Sequence, residues 1–332
     1  LSLEQTTFDI NSNNQINQIT LENNIESKQI SIIGLYDPED YGLNMNMWSY
    51  SNGDQLKNIL IKLQKVNLSK DANEIMNILM LTNSHFPKQN ISEKEFLNFK
   101  SNWLIKNSDL DLIEEYLIKN QIINSHVELT TYLVNQYLSQ YNIEKACEIF
   151  LNNKESINDN YLSKFHIYCL VNSNKIDEAQ LILDLKKELG FNDKYFEKKI
   201  NLLFGYDLEE DKEISEKTIL DFHLAHRTNK EFNFEPNDTT SKIIWEYLSS
   251  ANLLYDVKEI EITDLDKISI IEKAVNDQNY SEDELFELYK RFQFSIDQLL
   301  NAKEFYKSLS NIEAKALIYQ RSNESDSEKN RF

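Results

Sequence analysis

The chain has 332 residues but only five Gly and three Pro, where average usage would supply roughly 40; this excludes collagen-like and Gly/Pro-rich disordered chains and disfavours folds that need many tight turns. Hydrophobic residues make up 41% and aromatics 11%, enough for one extended or two compact cores. Acids outnumber bases 55 to 35, a formal charge of -20, so the field repels phosphate backbones and anionic headgroups, and nucleic acid is not an expected partner.

The chain opens Leu1-Ser-Leu-Glu without Met, as a processed exported protein or a fragment would. No window approaches the roughly 18 apolar residues of a membrane span, so no direct span is expected. Residues 1–29 are Asn/Gln-rich, with Ile10, Ile16, Ile19, Leu21 and Ile25 too irregular to define a face; they predict a disordered or draped arm. Residues 30–52 form an extended capping segment in prospect. Its β-branched start, from Gln29 to Pro38, reads as one strand, and Asp37 to Trp48 as a loop pinned by Trp48.

From residue 53 to 320 apolar residues recur at i, i+3, i+4 and i+7, broken every 12 to 18 residues by Asn/Ser/Asp clusters. Leu56, Ile59, Leu60 and Leu63 mark the first helix face, and Ile75, Ile78, Leu79 and Thr82 the second. Ser92 and Glu95 form a capping box ahead of Phe96, Phe99 and Trp103; Ser281 opens another. Further starts fall at Ser108, Ser125, Asn142, Asp159, Lys175, Asp193, Ser215, Asp238 and Asp264. Boundaries between segments are placed at Asp207–Glu213 and Asn229–Asp238, neither long enough for a free linker, and residues 321–332 are a polar tail.

The body repeats at 33 residues. Tyr132, Tyr137, Leu138, Ile143, Ala146, Ile149 and Phe150 align with Phe165, Leu170, Val171, Ile176, Ala179, Ile182 and Leu183, and one step back with Phe99, Leu104, Ile105, Leu110, Ile113, Tyr116 and Leu117. This is the tetratricopeptide-like period. The expected fold class is all-α, a right-handed superhelix of antiparallel helical hairpins, a tetratricopeptide-like α-solenoid behind an extended N-terminal arm, rather than an irregular bundle. Some tyrosines should then line a concave surface.

Chemistry-bearing residues are sparse. His223 and His226, at i and i+3, can share a helix face as metal ligands, but no third ligand stands at a recognised offset. His126, at a helix start, and His166, beside Phe165 and Tyr168, read as structural, and His85 precedes Phe86-Pro87 at a helix end. Asp207–Glu213 carries five acids in seven residues; without the Gly and alternation of a calcium loop it reads as a solvated turn. Residues 256–287 hold eleven acids against three Lys, a solvated side of two helices or a face for a basic partner. Cys147 and Cys169 sit on apolar faces, where two buried thiols are favoured over a disulfide. No nucleophile elbow or phosphate loop is present, so no catalytic, cofactor-binding or metal residue is assigned.

Ile33-Gly-Leu-Tyr-Asp-Pro-Glu-Asp-Tyr-Gly-Leu-Asn-Met-Asn-Met-Trp48, together with Phe292–Leu300 and Ala314–Gln320, resembles an alphaproteobacterial family often labelled antifreeze glycopeptide-related. The resemblance spans residues 30–320 and implies an exported, periplasmic helical protein without catalytic residues to carry over; a cytoplasmic location is the alternative. Members continue beyond the last helix, so the chain is expected to be truncated or to lack a C-terminal cap. The antifreeze label has no physical counterpart, because the Thr residues are scattered. The expected function is a non-enzymatic scaffold binding a protein or extended peptide, with a basic surface as one candidate partner. The alternatives are a helical accessory domain of a peptidoglycan enzyme and an obligate subunit of an envelope assembly.

Overall fold

The computed structural model describes residues 32–329, apart from 64, 152, 154–155, 207–210, 238, 255–257, 277 and 279. The expected arm at 1–29 lies outside the described residues, as do four positions of the acidic turn and the last three of the tail. Among the described residues the chain is all-helical and contains no strand. The helices are α1 (Gly53–Leu63), α2 (Lys70–Leu81), α3 (Glu93–Asn107), α4 (Leu110–Asn120), α5 (Val127–Ser139), α6 (Ile143–Leu151), α7 (Asn160–Asn172), α8 (Ile176–Glu188), α9 (Lys194–Phe204), α10 (Ile219–Thr228), α11 (Lys242–Ser250), α12 (Leu265–Asn276), α13 (Glu282–Lys290), α14 (Ile296–Leu300), α15 (Ala302–Phe305) and α16 (Asn311–Lys329).

Helix starts follow side-chain chemistry. Ser92 and Glu95 complete the capping box of α3, and the carboxylates of Asp109, Asp159 and Asp193 accept first-turn N–H groups of α4, α7 and α9. The box expected at Ser281 does not form: its backbone is extended as a cap should be, but its hydroxyl takes no first-turn N–H. The capping box at Ser295 and Gln298 opens α14 instead. α10 starts at Thr218, which accepts from Asp221, three residues after the expected Ser215.

Helix ends explain the shortage of glycine. Five helices close with the same N–H to C=O bond spanning five residues, Asn142 to Tyr137, Lys175 to Leu170, Phe191 to Lys186, Tyr206 to Asn201 and Leu253 to Leu248. Each needs a left-handed residue just before the donor. Gly190 and Gly205 fill two of these positions, but Tyr141, Asn174 and Asn252 fill the others at φ 56, 58 and 54. Non-glycine residues there cost about 1–2 kcal/mol each, so the short polar joints are tight without being rich in Gly.

The segment expected to be a strand makes two isolated bridges, Ile33 with Ser84 and Tyr36 with Thr82. Its partner is the stretch just after α2, and one bridge is antiparallel and the other parallel, so they do not join into a ladder. Side chains complete the clamp: Asn120 donates to the Gly34 carbonyl at 3.0 Å and accepts from its N–H at 3.2 Å, Lys100 donates to Ile33 O at 3.4 Å and Lys119 to Leu35 O. Lys100 is fully buried, and loss of hydration lowers its amine to about 7. The Trp48 ring packs on Phe96 at 5.5 Å, pinning the loop as expected. A Cβ on Gly34 would lie 2.3 Å from Asn83 N, in backbone. Gly34→Ala is therefore expected to cost about 1–3 kcal/mol, read as a lower urea midpoint; an unchanged midpoint would show that the segment is not clamped.

α5 packs on α6 and α7 on α8, each pair across a three-residue joint, and α3, α5 and α7 lie against one another in sequence. All 21 positions of the 33-residue register are buried or half-buried, with Ala146 and Ala179 fully covered. α10 and α11 then pack back onto α5. The first two helix faces differ from expectation: Ile59 and Ile75 are exposed, whereas Leu56, Leu60, Met80 and Leu81 are buried. α12, α13 and α16 surround a second cluster of Ile268, Ile271, Leu285, Leu288 and Ala316. There Glu272, one of the acids of the 256–287 run, is buried and accepts from Tyr289 and Lys315. Asp256 and Asp277 of that run lie outside the described residues.

Candidate functional site

The sequence of α8, Ile-Asp-Glu-Ala-Gln-Leu-Ile-Leu-Asp-Leu-Lys-Lys-Glu, carries more apolar residues than one face can bury. Ala179 and Leu183 are its fully buried positions. Leu181 and Leu185, with Leu189 just past the last turn, line up at i, i+4 and i+8 and are 60%, 50% and 81% exposed. Across from them α6 ends at Leu151, 68% exposed. Between these walls lies an open cavity of about 480 Å³, floored by Phe150, Ile157, Leu170 and Ile182.

Cys147 of α6 and Cys169 of α7 line the same cavity. They form a disulfide across 22 residues of sequence, which corrects the expectation of two buried thiols: consecutive register copies bring the two apolar faces together with Cα atoms 5.4 Å apart. The His166 ring stacks on Phe150 at 5.5 Å, and burial lowers its proton affinity. Ser163 Oγ and Lys186 Nζ both donate to the Ile157 carbonyl, and Lys175 pairs with Glu178 at 3.5 Å. The cavity is thus lined by apolar side chains interspersed with polar ones, its two lysines paired with oxygen atoms of the chain.

The other candidate residues are occupied inside the fold. His223 is fully buried between Tyr168 OH at 2.6 Å and Tyr247 OH at 2.8 Å, and His226 Nδ1 reaches the same Tyr247 hydroxyl at 2.7 Å. A neutral imidazole accepts from one tyrosine and donates to the other, so the pair joins α7, α10 and α11. Tyr141, the left-handed residue at the end of α5, packs its ring on this cluster. His126 is held likewise by Ser101 Oγ at 2.7 Å and Tyr116 OH at 3.0 Å. Desolvation lowers all three histidines, His126 to about 3. Among the described residues no group of three or more His, Cys, Asp or Glu could hold a metal ion.

Asp211 of the acidic turn is buried rather than solvated, paired with Lys198 at 3.1 Å and Lys199 at 3.2 Å. Lys199 is itself fully buried, and the loss of hydration there is offset by the charge of Asp211. Tyr116, Tyr168 and Tyr247 are likewise in the core, their hydroxyls spent on histidines. Sequence reasoning missed the leucine column. Its signal was the surplus of apolar residues in 179–189, which exceeds what a single buried stripe uses.

No helix among the described residues is long and apolar enough to cross a membrane. Compared with known families, with curated proteins and with solved structures, the chain matches none.

Proposed function

We propose that the chain is a non-enzymatic helical-repeat scaffold of the tetratricopeptide-like solenoid type, which binds a segment of another protein along α7 and α8. The observation that carries this is the exposed leucine column beside an apolar cavity. The three leucines of the column and Leu151 opposite are 50–81% exposed and so forfeit part of a burial worth about 1.5–3 kcal/mol each when complete, a cost that a bound partner removes. The 33-residue register supports the solenoid, and the buried histidines and paired carboxylates support a role without catalysis. The packing of α10 and α11 on α5 favours the outer side of α8 as the binding face over a tyrosine-lined concave surface. The disulfide fits an oxidising compartment, and so an exported, periplasmic protein.

A photo-crosslinking side chain in place of Leu185, with Tyr50 as an exposed control position, tests the site in extracts of the native cell. A discrete protein adduct is expected from position 185 and not from 50. Equal labelling from both, or none from 185, would remove the site from consideration.

A further inference from the structure

The chemistry of the partner is written on α8. Its exposed positions are Asp177, Glu178, Leu181, Asp184, Leu185 and Glu188, followed by Leu189. Each is either an acid or a leucine. Its two last-turn bases are both engaged within the chain: Lys186, which lines the cavity, is tied to the Ile157 carbonyl, and Lys187 pairs with Glu197 at 3.0 Å. Asp184 and Glu188 stand one turn apart directly beside the column Leu181, Leu185 and Leu189, so an apolar strip runs along an acidic edge. Asp184 is held in place by Gln180 at 3.0 Å.

Resting on the scaffold function proposed above, we infer that the segment bound here is a basic amphipathic helix. Its apolar side chains at i, i+3, i+4 and i+7 would lie between the leucine column and Leu151, over the cavity of about 480 Å³. Its flanking Lys or Arg would meet Asp177, Asp184 and Glu188. The net charge of -20 works in the same direction, since it draws cationic segments in and repels acidic ones. An anionic lipid surface is repelled by the same field, and the acidic edge offers it no counter-charge.

The test uses the full chain and three fluorescent 18-residue peptides, followed by anisotropy. One has a Leu face flanked by Lys, one has the same face flanked by Glu, and one has the Leu/Lys composition with the face scrambled. The Leu/Lys helix is expected to bind at micromolar concentration, at least tenfold tighter than either other peptide. Leu181→Ser with Leu185→Ser should weaken it about tenfold, and Asp184→Asn with Glu188→Gln should weaken it several-fold and flatten its salt dependence. These substitutions are at exposed positions, and unchanged circular dichroism checks the fold. Binding of the scrambled peptide as tight as the helix, indifference to the leucine substitutions, or no binding to millimolar concentration would overturn the inference. A cross-link from position 185 to an acidic or non-helical segment would overturn it too, while leaving the scaffold function standing.

Discussion

Acidification from pH 7 to pH 4 is expected to remove about 3 kcal/mol of stability through His126 alone. In the unfolded chain this imidazole takes up a proton below about 6.5. In the folded chain desolvation, helped by the Lys100 charge, holds it neutral down to about 3. Its stabilisation is therefore complete above 6.5 and is lost by about 1.4 kcal/mol per pH unit as the pH falls toward 3. His223 acts in the same direction, since burial and the neighbouring Arg227 depress it well below its ordinary value. Protonating it also makes donors of both ring nitrogens, so one of the Tyr168 and Tyr247 hydroxyls then faces a donor where it had faced an acceptor. Set against a typical total of about 5–15 kcal/mol, the loss through His126 is already a substantial part of the margin, and His223 adds to it. Urea titrations at pH 7, 6, 5 and 4 should show midpoints falling with a slope of more than one proton. Proton NMR should show the His126 ring unchanged above pH 4; a ring titrating near 6 would remove the cause.

The second large effect concerns the bond between α6 and α7. A cross-link closing 22 residues restricts the unfolded chain by about 3 kcal/mol on the loop-entropy view. Cys147→Ala with Cys169→Ala is expected to lower stability by that amount, and a reductant should lower the wild-type midpoint equally while leaving the double variant unmoved. Both cysteines line the cavity, so the Leu/Lys helix should also bind the double variant more weakly. A reductant that shifts both proteins alike would count against the bond.

Much of this fold could be read from the residues because helices announce their ends locally. Asp109, Asp159 and Asp193 are caps in the structure, where a carboxylate one residue before an apolar period marks a first turn. Ser281 shows the limit of such a signal: the right residue types stand at the right spacing, but the hydroxyl and the first-turn N–H do not meet. Residues joined across long distances were hidden. Nothing near Asp211 in sequence tells that Lys198 and Lys199 of α9 claim it, and nothing near His223 names Tyr168, 55 residues earlier. The disulfide was masked differently. Apolar faces suit a thiol and a half-cystine equally, and only the stacking of successive register copies decides between them. The leucine column was visible in composition but was not singled out, because periodicity says which residues share a face and not whether anything covers it.

The clamp on Gly34 also bears on the order of events as the chain is made. Its partners Lys100, Lys119 and Asn120 lie 67, 84 and 86 residues downstream of the atoms they hold. Residues 33–36 leave the ribosome before these partners, and cannot settle until α4 has followed them. The helix pairs α5–α6 and α7–α8, closed by three-residue joints, need no such wait and can assemble as they appear. The clamped segment is thus translated before its partners and completed late, and for that interval Ile33, Leu35, Met80 and Leu81 are exposed apolar surface for a chaperone to shield.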